Sequence, residues 1–213
     1  MNRESLRDRK RLRTRQKLIG SALDLFTERG FEEVTLDEIC DEVDISTRTF
    51  SRYFSGKEEV AIAPLRDMWF AFLDNLTRRR PAPGALLQIL QEDLLHAIEQ
   101  MPAGDWEKRM GKCWRVADAT PAVRANALLL CDQIPREVLV HLRSRFELGN
   151  LNEPYPIFAL DILVSVVRCA FDRWIAHTGE PDKTDLEAQF RTVAAAVPSS
   201  LNLPLAIRPS GHD

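Results

Sequence analysis

The sequence predicts an all-α fold of about nine helices, arranged as a small N-terminal three-helix unit and a larger C-terminal helical unit. Three observations support this prediction. Apolar residues recur every three to four positions along almost the whole chain, which is the period of a helix with one buried face. No stretch of the sequence alternates apolar and polar residues in the way that an exposed strand does. Proline and glycine fall between the periodic segments, where helices end.

Size and charge indicate a globular protein with a strongly basic N-terminus. The 213 residues are 45% hydrophobic and 29% charged, which is enough to bury a substantial core without disulfides or metals. The whole chain has a net charge of −3, whereas residues 1–20 contain eight basic and two acidic side chains, a net charge of +6. Such a basic N-terminal arm is typical of a protein with an anionic partner, although a frayed, solvated N-terminus has the same composition.

Targeting segments and metal motifs are missing from the sequence. The N-terminus has no apolar signal-peptide core, and no uncharged apolar run approaches the roughly 18 residues of a membrane span. We therefore expect a cytoplasmic protein with no membrane partner. The cysteines form no C-x-x-C and have no zinc spacing to histidine, so we expect reduced, mostly buried thiols and neither a metal nor a cofactor. The four cysteines are Cys40, Cys113, Cys131 and Cys169.

An apolar stripe and two capping signals define the first two helices. The stripe from Leu18 to Phe26 predicts the first helix, and Gly30 follows it as a residue that readily adopts the left-handed conformation of a helix C-terminus. Thr35 and Glu38 have the spacing of a capping box, in which each side chain bonds the other residue's backbone N–H. We therefore expect a short second helix to begin directly after Thr35.

A short turn separates this helix from a third helix over residues 47–53. Asp44 lies where the chain must turn, and aspartate tolerates the left-handed conformation better than most residues. Ser46 is a favourable N-cap for the helix that follows. A helix, a tight turn and a second helix together predict a helix-turn-helix motif.

The outward face of the third helix is polar and basic. If Phe50 faces the core, a rotation of about 100° per residue directs Arg48 and Arg52 away from it. Arginine can hold guanine O6 and N7 with two hydrogen bonds, threonine can contact a base edge or a thymine methyl group, and a helix N-terminus favours a phosphate. The face therefore predicts contact with double-stranded DNA, although two exposed arginines on a helix are also common by chance. The short polar residues of this segment are Ser46, Thr47, Thr49 and Ser51.

Residues 45–60, Ile-Ser-Thr-Arg-Thr-Phe-Ser-Arg-Tyr-Phe-Ser-Gly-Lys-Glu-Glu-Val, resemble the DNA-binding signature of the TetR family of bacterial regulators. The resemblance extends over about residues 12–60 and implies a DNA-binding transcription regulator. It implies that Thr47, Arg48 and Thr49 lie in the groove of the DNA. It also implies four residues that approach phosphates, namely Thr35, Ser51, Tyr53 and Lys57.

Two positions depart from the commonest pattern of this family. Asp44 takes the place of the usual turn glycine. Ser51 takes the place of a frequent tyrosine, which shortens or removes the phosphate contact at that position. We expect the domain to keep its fold with both changes, which together leave the sequence of its operator unpredictable.

Prolines and glycines divide the rest of the chain into further helices, and Pro135 is expected to kink or divide one of them. The expected helices lie at about 57–80, 84–100, 105–117, 121–149, 155–178 and 183–196. The predicted organisation is a DNA-binding unit over 1–56 with a basic arm, a ligand-binding and dimerisation unit over 57–197, and a flexible tail over 198–213.

The resemblance implies that the second unit contains a ligand cavity and a homodimer interface, the latter usually built by the last two long helices. Two apolar stripes fit such an interface, although stripes of this kind more often belong to an internal core; they contain Phe158, Ile162, Val166, Ala170, Phe190 and Val193. The large side chains that would line the cavity, or else pack the core, are Trp69, Phe72, Trp106, Met110, Trp114 and Leu129. His96 and Arg115 are the polar groups that could orient a ligand.

The same resemblance implies how such a regulator works. Two-fold symmetry would place the paired recognition helices about 34–36 Å apart on a near-palindromic operator. Residues 50–54 and 171–174 also resemble regulators of the mycofactocin type, which implies a hydrophobic or acyl-CoA-like effector. We therefore expect a repressor whose small-molecule effector favours a conformation that does not fit the operator, with the predicted helix over 57–80 connecting the two units.

Two other classes of protein have weaker support. An enzyme is not expected, because the sequence has no G-x-S-x-G, Walker loop, G-x-G-x-x-G or H-E-x-x-H motif. Its four histidines are scattered, at His96, His141, His177 and His212. A helical protein-interaction module with this fold would differ from a regulator in lacking the salt-dependent binding to DNA that several phosphate contacts produce.

Overall fold

The computed structural model describes residues 6–80, 84–145, 154–176 and 182–200. All regular secondary structure in these ranges is helical, so the predicted all-α fold is confirmed. The helices of the N-terminal half are α1 (Leu6–Arg29), α2 (Leu36–Val43), α3 (Thr47–Phe50), α4 (Lys57–Ala61) and α5 (Ala63–Arg78). Those of the C-terminal half are α6 (Leu86–Gln100), α7 (Asp105–Ala119), α8 (Pro121–Arg145), α9 (Tyr155–Ala176) and α10 (Lys183–Ser200).

The turns of the N-terminal unit follow its capping residues. Gly30 has a φ of 91°, and its N–H bonds the carbonyl of Phe26 at 3.1 Å. The Thr35 hydroxyl accepts from the Glu38 N–H at 3.2 Å, and the Glu38 carboxylate accepts from the Thr35 N–H at 2.8 Å. Asp44 has a φ of 58° and a ψ of 52°, the left-handed conformation. The predicted capping box and left-handed turn are therefore present.

Three helix boundaries in this half differ from the prediction. The predicted third helix ends at residue 53, whereas α3 ends at Phe50 and is followed by a turn. The first helix begins at Leu6, so the basic stretch from there onward is helical rather than a frayed arm. The predicted helix over 57–80 is two helices that meet at Ile62. Pro64 gives the physical reason, because proline has no N–H to donate to the carbonyl of Val60 and is accommodated best in the first turn of a helix.

The C-terminal helices continue through two prolines. α8 is one helix across Pro135 and is not divided there. α10 continues through Pro198 to Ser200, so the first three residues of the predicted tail are helical. None of the helices in the described ranges is long and apolar enough to cross a membrane. Parts of three predicted segments lie outside the described residues, namely 146–149, 177–178 and 201–213.

One continuous hydrophobic core joins the two units. Its largest side chains include Trp69, Phe72, Phe171 and Phe190, each at most 1% exposed. The most extensive helix pairs are α9 with α10 and α5 with α6, whereas α1 packs on both α2 and α7. The DNA-binding unit is therefore connected to the larger unit by the packing of α1 on α7 as well as by α4.

Ion pairs reinforce this connection. Arg15 of α1 donates to both carboxylate oxygens of Asp67 of α5, at 2.8 and 2.7 Å. Its guanidinium also lies 5.4 Å from the ring centroid of Phe54, within reach of a cation–π interaction. Further along α1, Asp24 accepts from Lys112 of α7. α5 and α7 are therefore coupled to α1 by ion pairs as well as by apolar contacts.

Candidate DNA interface and effector cavity

The recognition segment, residues 46–53, has one buried and one exposed side. Phe50 is 1% exposed, and its ring centroid lies 5.7 Å from that of Phe54, which is 2% exposed. Arg48 and Arg52 are exposed. The rotation predicted from the sequence, with one aromatic side chain inward and two guanidiniums outward, is therefore the one that the structure has.

Short polar side chains stabilise this segment from within. Ser46 accepts from the Thr49 N–H at 3.2 Å as the N-cap of α3, and the two hydroxyl oxygens are 3.0 Å apart. The Ser51 hydroxyl donates to the carbonyl of Thr47 at 3.0 Å. The Thr47 hydroxyl itself has no hydrogen bond with any residue that the structure describes. Of these four hydroxyls, that of Thr47 is the one left free for an external partner.

The two outward arginines have no partner among the residues that the structure describes. Neither Arg48 nor Arg52 forms an ion pair or hydrogen bond within the described part of the chain. Other arginines nearby are paired, since Arg29 lies 2.7 Å from a carboxylate oxygen of Glu38. A guanidinium has five N–H donors arranged for planar acceptors such as guanine or phosphate. An exposed, acid-free helix face with two such groups can bind an anionic or acceptor-rich surface.

Lys57 has an internal role that the sequence did not indicate. Its ammonium donates to the carbonyls of Phe31 at 3.0 Å and Val34 at 2.6 Å. It also lies 4.6 Å from the ring centroid of Phe31. Lys57 therefore holds the loop between α1 and α2 against the start of α4. An ammonium group has three donors, so one N–H remains for the phosphate that the family resemblance implies.

Thr35 and Tyr53 lie beside the recognition segment. Thr35 is exposed and its hydroxyl donates to Glu38 at 2.8 Å, whereas Tyr53 is half-buried against the core. The pKa of Glu38 is lowered to about 2, first by the backbone N–H of Thr35 and then by Arg29. Glu38 is therefore ionised at neutral pH, where a negative charge stabilises the N-terminus of α2, and Arg29 offsets part of that charge.

The basic residues of the predicted arm lie on a helix. Most of those in the described range are exposed, namely Arg7, Arg9, Lys10, Arg11, Arg13 and Lys17. Arg15 differs, because it is half-buried and paired with Asp67. The arm thus supplies exposed positive charge on α1, the helix that precedes the helix-turn-helix motif. One of its arginines, Arg15, belongs to the connection with the larger unit.

A cavity of about 620 Å³ lies among α7, α8 and α9, within the size range of small-molecule sites. Part of its wall is apolar, formed by Leu65, Trp114, Val164 and Val167. The indole ring of Trp114 stacks on Phe171 with ring centroids 4.8 Å apart. We call this space the effector cavity, because it is the candidate site for the effector that the family resemblance implies. It combines an apolar wall with a few charged side chains, as sites for organic ligands do.

The wall of the effector cavity differs from the one predicted. Of the eight predicted ligand residues, Trp114 lines it, whereas Trp106 lines a smaller cavity of about 160 Å³. The other six lie outside both walls: three are packed in the core (Trp69, Phe72, Met110) and three are exposed (His96, Arg115, Leu129). Fully packed side chains leave no space for a ligand, and His96 is hydrogen-bonded by Gln100 on the surface of α6.

The cysteines are reduced, but only two are buried. Cys40 and Cys113 are buried, Cys131 is half-buried and Cys169 is exposed, which corrects the expectation of mostly buried thiols. Burial raises the pKa of Cys113 to about 12 and that of Cys131 to about 11, so both are neutral thiols. Cys131 and Cys169 line the effector cavity. Within the described ranges no group of three or more histidine, cysteine, aspartate or glutamate residues could hold a metal ion.

The predicted dimer stripes are divided between core and surface. Val166, Ala170 and Phe190 are at most 2% exposed within one protomer, so they belong to the internal core and the prediction is wrong for these three. They contact the helices of their own chain because α9 packs on both α6 and α10. The other three residues are accessible: Phe158 is 59% exposed, and Ile162 and Val193 are half-buried.

Comparison with known proteins identifies the family. Residues 18–63 match the model of bacterial regulatory proteins of the tetR family. The chain is 30% identical to the HTH-type transcriptional regulator TcmR of Streptomyces glaucescens, over 88% of this chain and 82% of that protein. It is 25% identical to a Mycobacterium tuberculosis protein assigned as the mycofactocin biosynthesis transcriptional regulator MftR, over 92% and 98% of the two chains.

A solved structure has the same fold. A protein from Syntrophomonas wolfei assigned to the TetR family superposes with a TM-score of 0.57 at 18% identity, covering 92% of this chain and 98% of its own. The segment that matches the family model contains α2, the turn at Asp44 and α3. The relatives that match most of the chain are named transcriptional regulators, not enzymes. The chain therefore belongs to the TetR family of bacterial regulatory proteins and is a DNA-binding transcriptional regulator.

Proposed function

We propose that this regulator is a homodimeric repressor that binds a near-palindromic operator and is released by a small hydrophobic or acyl-CoA-like effector. Residues 1–56 would bind DNA, and residues 57–197 would bind the effector and the second subunit. The observation that carries the proposal is a pair of exposed guanidiniums, Arg48 and Arg52, which have no partner in the described ranges. They lie on the recognition segment, which Ser46 and Phe50 hold in place.

The contacts with DNA divide into two kinds. Thr47, Arg48 and Thr49 lie in the first turn of α3, the part of a recognition helix that contacts base edges in the major groove. The residues that would contact phosphates and add no sequence preference are Thr35, Ser51, Arg52, Tyr53 and Lys57, together with the exposed basic residues of α1. Phosphate contacts fix the register, whereas base contacts specify the sequence.

Exposed apolar side chains on α9 are the evidence that favours a second subunit. Phe158, Tyr155 and Ile157 are exposed on α9, by 59%, 70% and 38% respectively. A cluster of large apolar residues on a surface is typical of an interface. In the dimer that we propose, the accessible side of α9 and the side of α10 that carries Val193 pack against their counterparts, and α3 of each subunit enters the major groove about one turn of DNA, about 34–36 Å, from the other.

The effector would act through the two helices that contact both the cavity and α1. Leu65 of α5 lines the cavity, and Asp67 on the same helix binds Arg15. Trp114 of α7 lines the cavity, and Lys112 on that helix pairs with Asp24. An effector that binds one of two conformations better shifts the population toward that conformation. Because α5 and α7 contact both the cavity and α1, a change at the cavity would alter the orientation of the DNA-binding units.

Fluorescence anisotropy with a labelled duplex tests the DNA-binding half of the proposal. The duplex is first enriched from a random library by the protein itself, and affinity is then measured over a range of salt concentrations. We expect affinity to fall steeply as salt rises, because each neutralised phosphate releases counterions. The matched control is Arg143→Ala, which removes an exposed arginine of α8. The proposal fails if Arg48→Ala and Arg143→Ala bind the enriched duplex equally well.

A further inference from the structure

The charged side chains of the effector cavity differ in whether they have hydrogen-bond or ion-pair partners. Four charged side chains line it. Arg124 donates to the carbonyl of Asp118 at 2.8 Å and also pairs with the carboxylate of that residue. Asp172 accepts from the indole N–H of Trp114 at 2.9 Å. Arg168 has no ion pair or hydrogen bond with any residue in the described ranges. The cavity therefore contains one guanidinium without a partner, while both of its carboxylates are engaged.

A second unused donor lines the same space. Ser165 lies one helical turn before Arg168 in the cavity wall, and its hydroxyl has no hydrogen bond to another described residue. Both side chains are exposed, so water solvates their donors when no ligand is bound. An anionic group can replace this water with charge-assisted hydrogen bonds, which are stronger than neutral ones.

We infer that the effector is an anionic amphiphile whose negatively charged group binds Arg168 and Ser165, while its apolar body lies along Trp114 and Val164. This inference rests on the proposed function, because it names the chemical class of the effector that the cavity binds. A carboxylate, sulfonate or phosphate would each supply the acceptor oxygens that these donors lack. A neutral hydrocarbon of the same shape would leave the exposed Arg168 guanidinium with water as its only partner.

Two fluorescent probes with the same ring system test this inference. 8-Anilinonaphthalene-1-sulfonate has a sulfonate group, and N-phenyl-1-naphthylamine is the same molecule without it. Both are titrated into the full-length protein, into Arg168→Gln, and into the control Arg143→Gln, which removes an exposed arginine of α8 that lies outside the cavity wall. Val164→Trp fills the cavity and locates the bound probe. Light scattering gives the mass of each variant.

The expected result is selective. Arg168→Gln should weaken binding of the sulfonate about tenfold, which corresponds to about 1.4 kcal/mol, and should leave the neutral probe within about twofold of wild type. Arg143→Gln should change neither probe, and Val164→Trp should weaken both. The inference is overturned if Arg168→Gln affects both probes equally or neither. It is also overturned if that variant changes the mass of the protein with sulfonate binding intact, because Arg168 would then belong to the subunit interface.

The same titration separates failure of the inference from failure of the proposed function. If both probes bind and Val164→Trp weakens both, but Arg168→Gln does not discriminate, the cavity is a ligand site without a preference for anions. If wild type binds neither probe while it still binds duplex DNA, the cavity is not a ligand site, and both the inference and the effector half of the proposed function are overturned.

Discussion

Replacing Lys57 with methionine should destabilise the DNA-binding unit even when DNA is absent. The change removes two hydrogen bonds from an ammonium to the carbonyls of Phe31 and Val34, two residues that are 5% and 0% exposed. A hydrogen bond to a charged group contributes about 1.5–3 kcal/mol. Because the half-buried ammonium regains hydration when the protein unfolds, we expect a net loss of about 2 kcal/mol in the free energy of unfolding. This corresponds to a decrease in Tm of roughly 4–8 °C for a chain of this size.

Urea and thermal unfolding measure this loss. All variants are compared at one fixed protein concentration, because the stability of the dimer that we propose would depend on concentration. Arg48→Met is the matched control, since it removes a cation that is exposed and has no partner among the described residues. Its free energy of unfolding should stay within about 0.5 kcal/mol of wild type. The reasoning is refuted if Lys57→Met and Arg48→Met are equally stable, because the two carbonyl contacts would then contribute nothing.

Three further predictions concern the same unit. Arg48→Ala should reduce discrimination at one base position by about 1–3 kcal/mol, whereas Lys57→Ala should weaken binding to every duplex; equal, sequence-independent losses in a competition assay would contradict this division. Asp44→Val should lower the free energy of unfolding by about 1–2 kcal/mol relative to Asp44→Gly, because Asp44 is left-handed, and equal urea midpoints would argue against that conformation. The pKa of Glu38 is lowered from 4.5 to about 2, so its carboxylate stabilises the fold fully above pH 4.5 and loses this effect as the pH falls toward 2. Glu38→Gln should therefore show a shallower decrease in stability over that interval, and an unchanged slope would count against the assigned pKa.

The elements of the DNA-binding unit could be predicted because their stabilising contacts are local. The capping bonds of Thr35 with Glu38, and of Ser46 with Thr49, join residues three positions apart. The left-handed turn at Asp44 depends on the conformational tolerance of a single residue type. Short-range chemistry of this kind is visible in a sequence, because no other part of the chain has to be placed first.

Long-range contacts could not be predicted in the same way. Lys57 binds carbonyls 26 and 23 positions away, and Arg15 pairs with a carboxylate 52 positions away. Nothing in the local pattern around these residues distinguishes such a cation from one that contacts phosphate. The family resemblance implied that Lys57 contacts a DNA phosphate. The structure shows that its ammonium also binds two backbone carbonyls of its own chain.

The cavity and the interface show a second limit. Apolar residues at helical spacing indicate which face of a helix is covered, but not whether another side chain, a second subunit or empty space covers it. Phe72 and Met110 are packed in the core, whereas Val164 and Val167 line the effector cavity. Packing between helices decides between these outcomes, and it depends on the volumes of side chains that lie far apart in the sequence.

Modification of arginines by phenylglyoxal, with and without an enriched duplex, tests most directly whether the outward face of α3 binds DNA. Mass spectrometry gives the rate of modification at each arginine. If the face enters the major groove, the duplex should protect Arg48 and Arg52 strongly and leave the exposed Arg143 of α8 as reactive as before. Equal rates at Arg48 and Arg52 in the presence and absence of bound duplex would show that this face does not contact DNA.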